Sequence, residues 1–283
     1  MPQTTPARAA GTLDLGGDLT VQRMGFGAMR LTGPGIWGEP PDPDTCRAVL
    51  RRAVELGVDF IDTADSYGPE VSERLIAEAL YPYPDNLVIA TKGGMLRPGP
   101  GRWDPDGRPE HLRAVCEGSL RRLRLEEIPL YQLHRPDPRV PLEESVGALV
   151  ALKDEGKIRH IGLSNVDEGE LHRAMAITPI VSVQNMFSVD RRRSAAVLDV
   201  CETERLAFIP WAPLGEGAPR SAALSRIAAT HGATPYQVAL AWLLARSPVI
   251  LPIPGTASLA HLDENVAAAS VRLSQAEVDE LGL

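Results

Sequence analysis

Eight short apolar runs recur along the chain, and helix-length segments separate them. The runs are Met24–Met29, Val58–Asp62, Leu87–Lys92, Leu130–His134, His160–Ser164, Ile180–Gln184, Ala207–Trp211 and Val249–Ile253. Most are continuously apolar rather than alternating, the pattern of strands covered on both faces. This alternation predicts a (β/α)8 barrel. The competing open, doubly wound sheet announces itself with a GxGxxG turn that opens a helix directly after the first strand. The corresponding stretch here, GFGAMRLTG (25–33), has neither that spacing nor an immediate helix.

Local signals fill in the rest. Residues 11–23 read as a hairpin that turns at Gly16-Gly17, because glycine tolerates the positive φ such turns need. Helices are expected from Asp44, as N-cap, to about Leu56, then over Glu70–Leu80, Pro109–Leu123, Leu142–Glu155, Glu168–Met175, Arg191–Glu204, Ala222–Thr230 and Pro235–Ala245. Two more, Leu259–Ala269 and Gln275–Leu281, follow the last run. Residues 93–108 read as a loop. No linker-like stretch divides the chain, so residues 1–283 are expected to form one domain, with 1–10 a flexible tail.

Composition narrows the function. The net charge is −8, and Arg191–Arg193 is the only basic block, so nucleic acid is not an expected partner. Cys46, Cys116 and Cys201 stand singly, without metal-ligand or redox spacing. They read as buried thiols in a reducing compartment, and no metal site is expected. The N-terminal stretch MPQTTPARAAG lacks the apolar core of a signal peptide, and the longest strongly apolar stretch, near Val238–Ala245, is shorter than the about 20 residues that span a bilayer. A soluble, cytoplasmic protein with no membrane partner is expected, its oligomeric state left open.

In a barrel, function gathers at the C-terminal ends of the strands. The second run ends in Asp62, with Tyr67 just beyond; the third ends in Lys92 and the fourth in His134. A strand-end carboxylate or lysine is usually a solvated group, and a lone histidine usually satisfies a local hydrogen bond. Three consecutive strands ending this way are a different matter, because the barrel brings neighbouring ends within side-chain reach. A tyrosine, with pKa about 10, stays protonated at neutral pH. A nearby ammonium would make it a better acid, a carboxylate would hold the ammonium, and the imidazole would donate to or orient a carbonyl oxygen. Such a cluster suits reduction of an aldehyde or ketone. Tyrosine supplies no hydride, so a nicotinamide is implied.

With DxxxxY, a strand-end TK and LH, these four residues resemble the catalytic tetrad of the aldo-keto reductases. The likeness continues through EGSLRRLRLEEIPLYQLHRPD (117–137), LKDEGKIRHIGLSN (152–165), VQN (183–185), WAPLG (211–215), PIPGT (252–256) and HLDEN (261–265). The resemblance implies Tyr67 as general acid, Asp62 and Lys92 as its tuning pair and His134 as the substrate-orienting group. It implies Ser164, Asn165 and Gln184 at the nicotinamide carboxamide and Trp211, where the family usually has tyrosine, stacked on the ring. Leu214, Gly215 and Gly217 would lie over the pyrophosphate, and Thr256, His261, Glu264 and Asn265 at the adenosine end.

Departures from the family pattern bear on the cofactor. His261 stands where many members have an arginine, and Gly255 where a lysine often precedes the phosphate-contacting hydroxyl. Both remove fixed positive charge. Thr256 and Ser258 keep hydrogen-bonding capacity, so NADP(H) is expected, with NAD(H) possible. Pro129 replaces an acid common before the fourth strand, which reads as structural.

Met29, Trp37 and Trp103 fall on loops expected to wall the mouth, favouring a flat or apolar carbonyl substrate. GFGAMRLTGPGIWGEPPD (25–42) and ALYPYPDNL (79–87) are similar to the pyridoxal reductase (pyridoxine 4-dehydrogenase) branch, which implies pyridoxal as substrate. The alternatives are a broad-specificity or natural-product carbonyl reductase and a cofactor-binding regulatory subunit with little turnover; the intact tetrad disfavours the last.

Overall fold

A computed structural model describes residues 5–215 and 221–282. In chain order its elements are β1 (Thr12–Leu15), β2 (Leu19–Gln22), β3 (Phe26–Gly27), α1 (Pro43–Glu55), β4 (Phe60–Asp62), α2 (Val71–Leu80), β5 (Val88–Gly93), β6 (Met95–Leu96), β7 (Asp104–Pro105), α3 (Pro109–Leu123), β8 (Ile128–Leu133), α4 (Leu142–Asp154), β9 (Ile158–Ser164), α5 (Glu168–Met175), β10 (Ile180–Gln184), α6 (Ala195–Glu204), β11 (Ala207–Phe208), α7 (Ala222–His231), α8 (Pro235–Arg246), α9 (Leu259–Ala267) and α10 (Gln275–Gly282). Strands β3-β4-β5-β8-β9-β10-β11 form one parallel, seven-stranded sheet in that order. With the expected eighth run it makes a (β/α)8 barrel.

That eighth run is extended but is not a regular ladder. The Phe208 N–H donates to Val249 O (2.8 Å), the Leu251 N–H to Phe208 O (2.9 Å) and the Gly25 N–H to Pro252 O (3.0 Å). Residues 249–252 therefore bridge the two sheet edges. Pro252 and Pro254 carry no N–H, which explains the sparse bonding. Glycine permits the closure: a β-carbon on Gly27 would stand 2.6 Å from Ile253 O, and one on Gly255 would stand 2.4 Å from Gly27 O.

Two apolar clusters flank the sheet. The larger lies between strands and helices, with Leu75, Ile89, Leu112, Leu133, Val146 and Leu163 among its members. The smaller fills the barrel with Phe60, Val88, Ala90, Leu130, Val181, Ala207, Ile209, Leu251 and Ile253. Leu15 and Val21 of the hairpin belong to this second cluster. The hairpin thus plugs one barrel end, turning at Gly16 (φ +66°) and Gly17 (φ +84°). Its tip is tied to β9, where Asp18 meets Arg159 (2.5 Å) and His160 (2.6 Å).

Several boundaries differ from expectation for identifiable reasons. Residues 6–10, expected to be a loose tail, form a 3-10 helix with Ala7 buried and its N–H on Leu56 O (3.1 Å). The first helix is capped by Asp42, which accepts from the Thr45 N–H (3.0 Å); Asp44 sits in its first turn, after Pro43. α6 begins at Ala195 because Ser188 and Arg191 close a tight turn on each other. The stretch 93–108 is not wholly loop, since β6 and β7 pair antiparallel. All three cysteines are free and buried. Among the described residues no helix is long and apolar enough to cross a membrane.

Candidate active site

Successive side chains of a strand face opposite ways, so the residue two positions beyond an inward apolar one also faces inward. Phe60, Ala90 and Leu130 lie in the barrel cluster. Two positions on stand Asp62, Lys92 and Gln132. The barrel interior therefore changes from hydrocarbon to charge within one pleat. Gln184 ends β10 at the same level.

These groups form one bonded unit. Lys92, fully buried, donates to Asp62 Oδ2 (2.6 Å), Thr63 O (2.9 Å) and Tyr67 Oη (3.2 Å). An ammonium has three protons, and all three are engaged. Asp62 Oδ1 accepts from Gln132 Nε2 (3.2 Å) and Gln184 Nε2 (2.8 Å). Gly162 on β9 makes room for this layer, because a β-carbon there would stand 2.9 Å from Gln132 Cγ and 2.3 Å from Ser182 Oγ. His134 follows β8 and lies edge-on to the Tyr67 ring, centroids 5.8 Å apart, with Nδ1 3.2 Å from Ser66 Oγ.

Burial sets the protonation states. It pushes the Tyr67 phenol above its ordinary value, and the opposing pull of Lys92 does not cancel it. The sequence-based expectation of an acidified tyrosine thus gives way to a phenol that keeps its proton at rest. Burial works against the Lys92 charge, but Asp62 and Tyr67 outweigh it and hold the ammonium above the usual lysine value. Burial, then Lys92, Arg135 and Arg97, drive His134 well below the ordinary imidazole range, so the ring is neutral.

A second chain of contacts runs along one side. Ser164 Oγ donates to Gln184 O (2.7 Å), and Asn165 Nδ2 donates to Ser164 Oγ and to His134 O, both at 3.0 Å. The Trp211 indole N–H donates to Asn165 Oδ1 (3.1 Å), which fixes the plane of a half-buried ring. Asn165 adopts the left-handed conformation (φ +59°) that Asn tolerates better than most residues. Gln184, expected to face a ligand amide, gives one amide N–H to Asp62, which leaves its second N–H and its carbonyl oxygen for other partners.

The remaining expected residues are spread more widely. Leu214 and Gly215 lie on a turn in which the Gly215 N–H reaches Ala212 O (2.8 Å); Gly217 lies outside the described residues. Ser258 caps α9, and the Ser258 N–H donates to Thr256 Oγ1 (3.0 Å). His261 is exposed. Asn265 is buried on the same helix. Glu264 Oε1 accepts from Thr234 Oγ1 (2.5 Å) in the cap of α8. Trp103 stands edge-on to Tyr67 (6.4 Å) and near His134 (6.2 Å). Trp37 reaches the mouth, with the Arg97 guanidinium 5.6 Å from its ring. Met29 lies in the 3-10 turn Ala28–Leu31, partly exposed.

Sequence reasoning missed Gln132, Ser66, Arg97 and Arg30. The first was within reach: LYQLH puts Gln132 two residues before His134, on a strand already read as lining the barrel. Arg30 is exposed, and its Cγ lies 3.7 Å from where a β-carbon on Gly255 would stand. A cation from the first strand's loop thus occupies the neighbourhood in which Gly255 offers none.

Residues 23–282 match the Aldo/keto reductase family. An uncharacterized oxidoreductase of Schizosaccharomyces pombe is 50% identical over 281 residues, covering 98% of this chain and 91% of the relative. The pyridoxine 4-dehydrogenase of Escherichia coli is 44% identical over 266 residues, 92% of this chain and 93% of that one. A crystal structure of an aldo/keto reductase from Klebsiella pneumoniae in complex with NADP and acetate is similar with a TM-score of 0.80 at 27% identity, covering 95% of this chain and 93% of that one. A family match across residues 23–282, with relatives of this identity over nearly the full length, makes the chain an oxidoreductase of the aldo/keto reductase family.

Proposed function

We propose that the chain reduces an aldehyde or ketone to an alcohol with NADPH as reductant, that Tyr67 gives the proton to the carbonyl oxygen, and that pyridoxal, reduced to pyridoxine, is its substrate. One observation carries the chemistry: a fully buried Lys92 bonds Asp62 and the Tyr67 hydroxyl at once. An acid must hold its proton until needed and then leave a stabilised base. Burial does the first, since the phenol stays protonated. Lys92 does the second, because its hydrogen bond to the phenol becomes charge-assisted once the phenolate forms. Asp62, held by Gln132 and Gln184, keeps the ammonium in place. His134 is neutral, and in the tautomer whose Nδ1 accepts from the Ser66 hydroxyl its Nε2 carries the proton and can donate to the carbonyl oxygen.

The residues present fit a phosphate-bearing dinucleotide. Asn165 and Trp211 form a fixed polar and aromatic pair beside the proton donor. At α9 the first turn holds no acidic side chain, Ser258 caps it and Thr256 stands beside the cap, an arrangement suited to an anion. Arg30 adds an exposed cation at Gly255. Bound there, the nicotinamide supplies the hydride, and the protein's residues supply orientation and the proton. The pyridoxal assignment rests on the identity with the Escherichia coli pyridoxine 4-dehydrogenase.

The test is NADPH oxidation followed at 340 nm with pyridoxal and a panel of other aldehydes. Pyridoxal is expected to give the highest kcat/KM. Rates equal to buffer for every aldehyde would remove the reductase assignment, whereas turnover without preference for pyridoxal would leave a broad carbonyl reductase.

A further inference from the structure

The proposed reaction makes no use of Arg97, yet this side chain touches three of the segments around the mouth. It follows β6, is only 9% exposed and has no carboxylate partner among the described residues. A buried cation without a counter-ion is costly unless its protons are met. Here three separate main-chain carbonyls meet three of its five N–H donors, one on each nitrogen. Nε donates to Arg102 O (2.9 Å), Nη1 to Ser66 O (3.0 Å) and Nη2 to Gly35 O (3.2 Å). The guanidinium also lies against Trp103, 3.6 Å from the ring centroid, with Trp37 at 5.6 Å. A planar fork is the one side chain able to make three such bonds while stacking.

Each carbonyl belongs to a segment that frames the site. Gly35 lies in the loop carrying Trp37, and Ser66 precedes Tyr67 and bonds His134 through its hydroxyl. Arg102 precedes Trp103, whose ring is nearly perpendicular to that of Tyr67 (80°) and inclined to that of His134 (63°). We infer that Arg97 is a specificity-determining positioning residue, one that clips the three loops together and fixes Trp103 as a rigid aromatic wall beside the proton donor, so that the mouth selects planar aryl aldehydes over flexible aliphatic ones. The inference rests on the reductase assignment above and goes beyond it by naming what sets the substrate class. The driving contact, aromatic packing on a preset wall, needs no induced ordering on binding.

The experiment compares kcat/KM for benzaldehyde and butanal, with NADPH, in the wild-type chain and in Arg97→Gln, Trp103→Leu and the double variant. The wild type is expected to prefer benzaldehyde. Arg97→Gln should lower that preference about tenfold, the worth of one aromatic contact, through a raised KM for benzaldehyde with kcat little changed. Trp103→Leu should do the same, and the double variant should lose no more than either single one, because both changes remove the same wall. Arg97→Lys keeps the charge but neither the fork nor the stack, and should behave like Arg97→Gln. Equal losses on both aldehydes, losses in kcat alone, or additive effects would overturn the inference, and so would variants that no longer fold, which would place Arg97 in the barrel's stability instead. A wild type that reduces both aldehydes equally well defeats the inference only; one that reduces neither, nor any other aldehyde, defeats the reductase assignment as well.

Discussion

The Asp62 carboxylate and the Lys92 ammonium lie 2.6 Å apart with almost no exposure to solvent. Removing one member of such a pair strands the other, at a cost of about 3–5 kcal/mol, whereas replacing both by apolar groups can be nearly neutral. Asp62→Leu and Lys92→Met are each expected to lower unfolding free energy by that order, and the double variant by clearly less than their sum. Urea unfolding of the four chains measures this. All three variants should also lose reduction, because Lys92→Met and the double variant lack the ammonium beside Tyr67 and Asp62→Leu lacks the carboxylate that keeps it charged and in place.

Tyr67→Phe removes the proton and little else, since the phenol accepts one hydrogen bond, from Lys92, and packs by its ring edge. Carbonyl reduction should fall by at least about a hundredfold, the lower end of what a positioned general acid contributes. NADPH affinity should stay nearly unchanged, read from quenching of tryptophan fluorescence, to which the fixed Trp211 ring would contribute. Loss of that quenching would mean that the residue was structural.

The barrel and its reactive strand ends were legible because two simple periodicities carry them. Continuous apolar runs mark strands covered on both sides, and a charge at the end of such a run has nowhere to go but the rim. The pleat alone would have pointed to Gln132, two residues before His134. What stayed hidden depends on contacts between segments far apart in the chain. Arg97 looks like any loop arginine until Gly35, Ser66 and Arg102 are seen to accept from each of its three nitrogens. Gly255 looks like lost charge until Arg30 is seen beside it. The eighth strand was recognisable by its hydrophobicity, but its prolines remove the ladder that would define it.

The protonation states predict an asymmetric pH response. Reduction needs Tyr67 protonated, and its pKa is raised, so the rate should hold through neutral pH and fall only above the ordinary tyrosine range near about 10. Oxidation of the corresponding alcohol needs the phenolate and should rise over the same interval. Reduction falling already between pH 7 and 8 would show that another group controls it.

His134 predicts a separate effect on stability. Its folded pKa is lowered, whereas the unfolded imidazole titrates near about 6.5. Below that pH the unfolded chain binds a proton that the folded chain refuses, so the contribution of His134 to stability is complete above about 6.5 and is lost as pH falls toward the folded value. His134→Asn cannot titrate. The drop in Tm between pH 7.5 and pH 5 should therefore be smaller in His134→Asn than in the wild type, and an equal drop would show that the imidazole is as free to protonate folded as unfolded.

Arg30 tests the cofactor preference. Gly255 and His261 leave the expected phosphate site without a fixed charge of its own, and among the described residues Arg30 has no ion-pair partner to hold it elsewhere. An exposed cation near a phosphate contributes on the order of 1 kcal/mol, more with a direct hydrogen bond. Arg30→Ala is therefore expected to weaken NADPH about tenfold and NADH by much less, since only the former carries the additional phosphate. Titration of both cofactors against each chain, at two salt concentrations, reads this directly. Higher salt should narrow the gap between the cofactors in the wild type and change it little in the variant, because the screened charge is then already gone. Equal weakening of both cofactors would put Arg30 at the part they share, the pyrophosphate, and leave Thr256 and Ser258 as the groups that distinguish them.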